Sequence, residues 1–294
     1  MRFAVSYIDA LTIESESPLR EMYKLSPYVW READGYHMLL RAVPHSEDPA
    51  QKIARIHYGR SDDGLTFRME SQPVIAPGPS EMDIDGCEDP SVAIADGTYY
   101  VYYSGWNERE KQGSLLLASG PNPRQLQKRG IALPAARHCK NPKEATIASA
   151  SDGSWRLFFE YADRGASRIG IAAAPSPAGP WTVQRVPFRP RIKSWDNFHL
   201  STGPLSNGDG DSVVMFYNGA GRNADWRIGW IAFDSGYRRV IARSVDPIVA
   251  PPAKRQPGAT DIAFAASALE EDDSIRLYYS IADRDMYRAT LRRL

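Results

Sequence analysis

Apolar and polar residues alternate along this chain in short runs, and turn residues interrupt the alternation at regular intervals. A period of two marks strands with one face buried, whereas a surface helix repeats its apolar residues at three and four. Sustained helical periodicity is nearly absent, and frequent Pro and Gly leave room only for short helical pieces, one of them near Pro18 to Met22. The clearest run starts at Gly86-Cys87-Glu88-Asp89-Pro90 and continues from Ser91 to Tyr103, with Val92, Ile94, Tyr100 and Tyr102 set around Asp96-Gly97. An Asp-Gly pair between alternating runs predicts a tight hairpin. Its open end brings Asp89 next to Tyr103-Ser104-Gly105-Trp106-Asn107.

The same layout recurs four more times. One hairpin reads Ser26 to Trp30, turns at Ala33-Asp34-Gly35 and returns as Tyr36 to Arg41. A third runs through Glu144 to Ile147, turns at Ser151-Asp152-Gly153 and returns as Trp155 to Tyr161. A fourth starts near Ser201-Thr202-Gly203-Pro204, turns at Asp209-Gly210 and returns as Val213 to Asn218. The fifth starts at Asp261 to Phe264, turns at Glu271-Asp272-Asp273 and returns as Ile275 to Ser280. A third apolar strand follows each return: Ala54 to Tyr58, Ser114 to Ala118, Ser167 to Ala172, Trp226 to Ala232, and Met286 to Ala289. Turns and fourth strands follow several of these, as at Asp63 to Phe67 and Gly179 to Val183. The turns recur at roughly 60 residues, close to the longest propeller-blade repeats. Five units of four antiparallel strands predict an all-β, five-bladed β-propeller, and no linker divides the series, so residues 1–294 are read as one domain. A large β-sandwich also has regular turns, but it would not repeat the order of elements.

Composition narrows the function classes. Thirty-six Lys and Arg balance thirty-six Asp and Glu, so no global field favours nucleic acid or an anionic membrane. Two cysteines, Cys87 and Cys139, form no disulfide framework. The first eleven residues include Asp9 and no sustained apolar core, so no signal peptide is read, and no run approaches membrane-spanning length. A cytoplasmic protein is the expectation. No metal is expected, because His37, His45, His57 and His138 lack ligand spacing, and no cofactor motif is present.

In a propeller the starts of the innermost strands face one central pocket. Here they supply Asp89, Glu144 and Asp261, with His199 and Ser201 in the fourth unit. The ends of the second strands supply Arg41, Trp106, Asn107, Glu160, Tyr161, Asn218 and Asp283. Any one acid at a strand end is most simply a turn cap; three at equivalent positions fit glycoside chemistry, in which one carboxylic acid protonates the leaving oxygen and a second group activates water. Arg and Asn suit sugar hydroxyls, and Trp106, Trp195 and Trp226 are candidates for stacking on a sugar ring. Trp30, Trp155, Trp181 and Trp230 fall inside strand patterns and are read as packing. Glu88 follows the strand alternation and is expected to face away from Asp89. Cys87 is read as a small buried hydrophobe.

The run Arg55-Ile56 … Ser61-Asp62-Asp63-Gly64-Leu65-Thr66-Phe67 … Pro73-Val74-Ile75 … Gly86-Cys87-Glu88-Asp89-Pro90 resembles glycoside hydrolase family 130, β-mannoside phosphorylases and hydrolases on a five-bladed propeller. Leu39-Leu40-Arg41-Ala42, Lys193-Ser194-Trp195-Asp196 through Gly203-Pro204, and Val240 to Ser244 with Pro247-Ile248 resemble further segments of that family. The resemblance implies Asp89 as catalytic acid and Arg41, Arg55 and Asn107 as sugar-binding positions. The chain departs from it in three places: Ser91 where the family has Arg, Phe159-Glu160-Tyr161 where the phosphorylases carry His-Arg, and Asn218 where they carry His. Lost cations and a gained carboxylate disfavour a phosphate dianion. The expectation is therefore an inverting hydrolase of a β-linked mannoside or related oligosaccharide, with Asp89 as acid and Glu160 or Glu144 as base. Inversion needs the two carboxyl groups on the order of 6.5–9.5 Å apart. A phosphorylase, a non-catalytic sugar-binding propeller and a furanosidase of another five-bladed family are the alternatives.

Overall fold

The computed structural model describes residues 1–48, 51–252 and 261–294. Strands carry the fold, with short 3-10 turns at Leu19–Glu21 and Glu81–Asp83. The first of these is where the sequence predicts a short helix; Leu19 is fully buried there. Among the described residues no helix is long and apolar enough to cross a membrane.

β1 (Phe3–Ala10) pairs antiparallel with the last strand of the chain. The first unit then contains β2 (Thr12–Glu14), β3 (Tyr23–Glu32), β4 (Gly35–Val43), β5 (Arg55–Ser61) and β6 (Thr66–Ile75) in the sheet order β2-β6-β5-β4-β3. The second is β7 (Cys87–Ala95), β8 (Thr98–Asn107), β9 (Gln112–Gly120) and β10 (Gln127–Leu133), each paired with the next. The third is β11 (Lys140–Ser149), β12 (Trp155–Asp163), β13 (Ala166–Ala174) and β14 (Thr182–Gln184). In the fourth, β15 (His199–Ser201), β18 (Asn218–Ala220) and β19 (Arg227–Ile228) form one sheet. A second is made by β16 (Leu205–Asn207), β17 (Val213–Met215), β20 (Ile231–Phe233) and β21 (Val240–Arg243). The fifth joins β22 (Ala263–Glu271), β23 (Ser274–Ile281) and β24 (Asp285–Arg293) to β1.

Two features depart from four strands per unit. The first sheet gains β2, parallel to β6. The fourth unit is split because each of its three inner strands breaks at the same level. Gly203-Pro204 interrupts the first strand, and Pro204 has no N–H to donate. Gly219 and Gly229 lie flat against Trp195, whose ring would meet any added Cβ at 2.8 and 2.6 Å. Bonds across the break, Phe216 N to Pro204 O at 2.9 Å and Gly229 N to Tyr217 O at 3.0 Å, keep the two halves in line.

Five apolar clusters form the core, and each straddles two units. Ile56 and Tyr58 meet Val101 and Tyr103 between the first and second. Leu115 and Tyr102 meet Leu157 and Phe159 between the second and third. Phe158 and Ile171 meet Tyr217 and Phe233 between the third and fourth. Phe216 and Trp230 meet Leu277 and Leu291 between the fourth and fifth. Finally Tyr278 and Met286 of the fifth unit meet Met38 and Phe67 of the first. The alternation seen along the chain is therefore spent on burying both faces of each unit against its neighbours.

Candidate active site

The first strands of three units carry the same defect. Pairing slips between Leu25 and Tyr28, between Glu88 and Ser91, and between Lys143 and Thr146. At each slip one residue takes a left-handed backbone: Ser26 (φ 53°), Asp89 (φ 48°) and Glu144 (φ 50°). A bulge re-aims side chains that simple alternation would send to opposite faces, at a backbone cost on the order of 1 kcal/mol each. Here all three turn into one cavity of about 330 Å³. Second-strand residues complete it, since Arg41 pairs in register with Leu25, Glu160 with Lys143 and Ser280 with Phe264.

Asp89, 7% exposed, is the best-held group. Ser26 Oγ donates to its Oδ1 at 2.6 Å, and Arg41 Nη1 reaches Oδ1 at 3.2 Å and Oδ2 at 3.4 Å. Arg41 Nη2 donates to Glu88 Oε1 at 2.7 Å. Glu88 therefore shares the cavity with Asp89 instead of facing away, because the bulge breaks the alternation between them. Asp89 also hydrogen-bonds the Glu144 carboxyl. Burial raises the proton affinity of both; for Asp89 the Arg41 guanidinium and the Ser26 hydroxyl outweigh it and hold the carboxyl below its ordinary range. Glu144 is pushed well above its range by burial and by the neighbouring Asp89 charge. The two carboxyl groups are thus pushed in opposite directions, Asp89 toward its anion and Glu144 toward its protonated form. Glu144 itself is fixed through its backbone, since its N–H donates to Ser104 Oγ at 3.2 Å and its carbonyl accepts from Thr202 Oγ1.

Glu160, 4% exposed, accepts from Ser167 Oγ at 2.8 Å and pairs with Lys143 Nζ at 3.5 Å. Glu160 leads the carboxylates that hold the Lys143 ammonium protonated, with Glu144, Asp89 and Glu88 adding to it. Asp283, also left-handed (φ 51°), lines the same cavity, and burial raises its carboxyl. Trp226 and Phe264 form an apolar wall as an edge-to-face pair 5.4 Å apart. An adjoining cavity of about 300 Å³ shares Glu88 and Lys143 with the first and is bounded by Trp106.

Of the residues singled out by sequence, Asp89, Glu144, Glu160, Arg41 and Asp283 meet in the main cavity, and Trp106 borders the second. Trp226, a stacking candidate, lines the main cavity as well; the remaining candidates do not reach it. Arg55 Nη2 donates to the Ile53 carbonyl at 3.5 Å. Asn107 ties a turn, donating to Glu81 O at 2.7 Å and accepting from Glu110 N at 2.9 Å. Asn218 is fully buried and clamps units together, accepting from Ala265 N at 2.8 Å while donating to Thr202 O at 2.5 Å. His199 Nδ1 accepts from Ser167 N at 3.1 Å, one step behind the Ser167–Glu160 bond. Asp261 lies beside the cavity wall, where its carbonyl accepts from Trp226 N and its neighbour Ile262 lines the cavity. Trp195 packs in the fourth unit, stacked on Tyr217. Ser26, Lys143 and Ser167 are the functional side chains that sequence reasoning missed. The first two were findable, since Ser26-Pro27 aligns with Asp89-Pro90 and Lys143 precedes Glu144 as Glu88 precedes Asp89. Cys87 is fully buried with its thiol pushed up by burial, so it is no nucleophile.

Paired carboxyl groups, a bridging arginine and an indole wall around one cavity are the equipment of a carbohydrate-active protein. The family is explicit: the model of glycoside hydrolase family 130, described as β-1,4-mannooligosaccharide phosphorylase, matches residues 44–291, and the chain belongs to that family. A 1,2-β-oligomannan phosphorylase of Thermoanaerobacter sp. (strain X514) is 26% identical over 258 residues, spanning 84% of this chain and 82% of that one. The β-1,2-mannobiose phosphorylase of Listeria innocua, solved with β-1,2-mannobiose, shares the fold with a TM-score of 0.77 at 19% identity, over 97% of this chain and 90% of that one. A further structure (TM-score 0.76, 22% identity, 92% of this chain and 84% of that one) comes from work on glycoside hydrolases of this family that target β-1,2-mannosidic linkages in Candida mannan.

Proposed function

We propose that residues 1–294 form one five-bladed β-propeller domain that hydrolyses a β-linked mannoside with inversion. The cyclic order of the five apolar clusters, with the fifth unit packed on the first, supports closure of the blades into a ring. The Asp89–Glu144 pair is the acid: Asp89 faces the glycosidic oxygen, and Glu144 supplies the shared proton to it. Glu160 is the base that takes a proton from the attacking water, held by Ser167 and Lys143. The base is assigned to Glu160 in this reading, and the contact between Glu144 and Asp89 supports that choice. Trp226 and Phe264 give the sugar ring an apolar face to lie on.

The observation that carries the choice of water over phosphate is the charge of the cavity. Glu88, Asp89, Glu144, Glu160 and Asp283 line it against Arg41 and Lys143 alone. Arg41 is engaged by Glu88 and Asp89, and Lys143 by Glu160. A phosphate dianion would enter beside unneutralised carboxylates with no cation left to receive it. Phosphorolysis is the second reading, favoured by the names of the relatives at 24–26% identity. Incubating the enzyme with β-1,2- and β-1,4-mannobiose, with and without inorganic phosphate, separates the two. Free α-mannose as first product, formed at a rate independent of phosphate, is the expected result. Formation of mannose 1-phosphate would establish phosphorolysis instead.

A further inference from the structure

A second cavity, larger than the catalytic one, lies away from it. It is a groove of about 1020 Å³ between the third and fourth units, beside the turn that joins β11 to β12. Asp152 in that turn is eight residues along the strand from Glu144, about 26 Å of extended chain. Arg156, Arg185, Arg189, Arg238 and Arg239 line this groove, and Asp152 is the one acid among its lining residues. Arg156 is buried and takes Asp152 for itself at 3.0 Å. Asp234, just outside, spends its Oδ1 on the backbone N–H groups of Arg238 (2.8 Å) and Arg239 (2.6 Å). Among the described residues no carboxylate pairs with the guanidinium groups of Arg185, Arg189, Arg238 or Arg239, in a chain whose charges otherwise balance.

Four exposed arginines around one groove, none with a carboxylate partner among the described residues, repel one another, and the arrangement becomes favourable when an anion sits among them. Arginine forks match the planar oxygens of phosphate or carboxylate better than point-charge lysines do. The groove floor is apolar, formed by Phe188, Tyr237 and Val186. Its volume is at the top of the usual range for small-molecule sites, roughly 300–1,000 Å³. The chain's net charge is zero, and a nucleic acid would need a basic track running beyond one groove. We propose that this groove binds a phosphorylated saccharide, with the phosphate among Arg185, Arg189, Arg238 and Arg239 and the sugar on the apolar floor. It is a second ligand site, independent of how the catalytic cavity cleaves its bond.

Calorimetric titration of the intact protein with mannose 6-phosphate, inorganic phosphate and mannose tests the assignment. The sugar phosphate should bind with an affinity that falls with salt, more tightly than inorganic phosphate, and mannose should not bind in this groove. Arg185→Gln/Arg239→Gln, both exposed positions, should weaken mannose 6-phosphate by about tenfold or more, as loss of charge-assisted bonds requires. The same variant should leave mannoside turnover unchanged. Lys143→Met, which removes a cation of the catalytic cavity, should leave this binding intact. Binding that survives the double substitution but disappears in Lys143→Met would place the anion in the catalytic cavity and overturn the proposal. So would no binding at all, equal affinity for inorganic phosphate, or preferential binding of an oligonucleotide.

Discussion

Replacing Glu144 by Gln isolates the proton that the Asp89–Glu144 pair shares. Gln keeps the length of the side chain, can still hydrogen-bond Asp89, and asks nothing new of a backbone already at φ 50°. What it removes is the titrating group. Asp89 cannot take over the proton near neutrality, because Ser26 at 2.6 Å and Arg41 at 3.2 Å both favour its anion. General-acid catalysis contributes about 10²–10⁴ in rate, roughly 3–5.5 kcal/mol of barrier. With no substitute donor in place, the fall in kcat should lie near 10⁴, the top of that range.

The pH dependence gives a second, independent readout. In the natural enzyme activity should fall as pH rises through the raised pKa of Glu144. In the Gln variant the residual activity should instead grow as pH falls toward the depressed range of Asp89. Stability follows with a definite sign: the folded chain holds the Glu144 proton more tightly than the unfolded chain, whose value is near 4.5. Unfolding therefore releases a proton above that pH, and stability declines as pH rises through the folded value. Gln lacks this decline, so the variant should gain in Tm relative to the natural protein as pH increases. Initial rates of mannose release and thermal melts across one pH series make both measurements. Full activity with an unshifted pH profile, or a Tm difference that shrinks with pH, would refute the shared-proton reasoning.

Other perturbations follow from single contacts. Glu160→Gln should abolish hydrolysis while leaving substrate affinity measurable, and azide should restore turnover with a glycosyl azide product; undiminished hydrolysis would remove Glu160 from the base role. Gly105→Ala puts a Cβ within 2.6 Å of Met82 O and Leu116 Cδ1 and 3.0 Å from Asp83 Cβ, beneath the loop that presents Glu88 and Asp89. It should cost about 1–3 kcal/mol and lower Tm by several degrees, read by thermal melt, with a larger loss in kcat than in stability would explain. Asp196 is fully buried and holds Arg191 (3.0 Å), Arg243 and Tyr217 (2.5 Å) at the split in the fourth unit. Asp196→Asn strands those cations and should cost about 3–5 kcal/mol by denaturant unfolding. Burial raises the Asp196 carboxyl, but Arg191, Tyr217 and Arg243 bring it below its ordinary range. Its stabilising effect is thus present above the unfolded value and lost as pH falls through the folded one, an acid limb that the Asn variant should lack.

The hairpins were legible because alternation and Asp-Gly turns are local signals, and the unit boundaries followed from their recurrence. A register slip is not local in that sense. Nothing in Glu88-Asp89-Pro90 announces that two adjacent side chains will share one face, so alternation led to the wrong expectation for Glu88. Asn107 and Asn218 illustrate a second limit. A polar residue at a strand end either meets ligand or satisfies buried backbone, and both of these were consumed by Glu81, Thr202 and Ala265. The split of the fourth unit was not foreseen, since Ser201-Thr202-Gly203-Pro204 reads as the start of one hairpin, and the close packing of the Trp195 ring on Gly219 and Gly229 beside it is not a local signal.

Equivalence between units carries one step further than any single motif. Counting one residue past the pairs Leu25–Arg41, Glu88–Ser104, Lys143–Glu160, Ser201–Asn218 and Phe264–Ser280, the same place on the first strand holds Ser26, Asp89, Glu144, Thr202 and Ala265. The facing place on the second strand holds Arg41, Ser104, Glu160, Asn218 and Ser280. Charge is thus concentrated in the first three units, whereas the fourth and fifth contribute Thr202, Ala265, Trp226 and Phe264 to the cavity together with one carboxyl group, Asp283. A sugar that satisfied both halves would lay its apolar face on the fourth and fifth units and present its scissile oxygen to the first three. In the proposed reaction that polarity favours one orientation for the ring, with its scissile bond toward the second and third units, where Glu88, Asp89, Glu144 and Glu160 supply four of the five lining carboxyl groups.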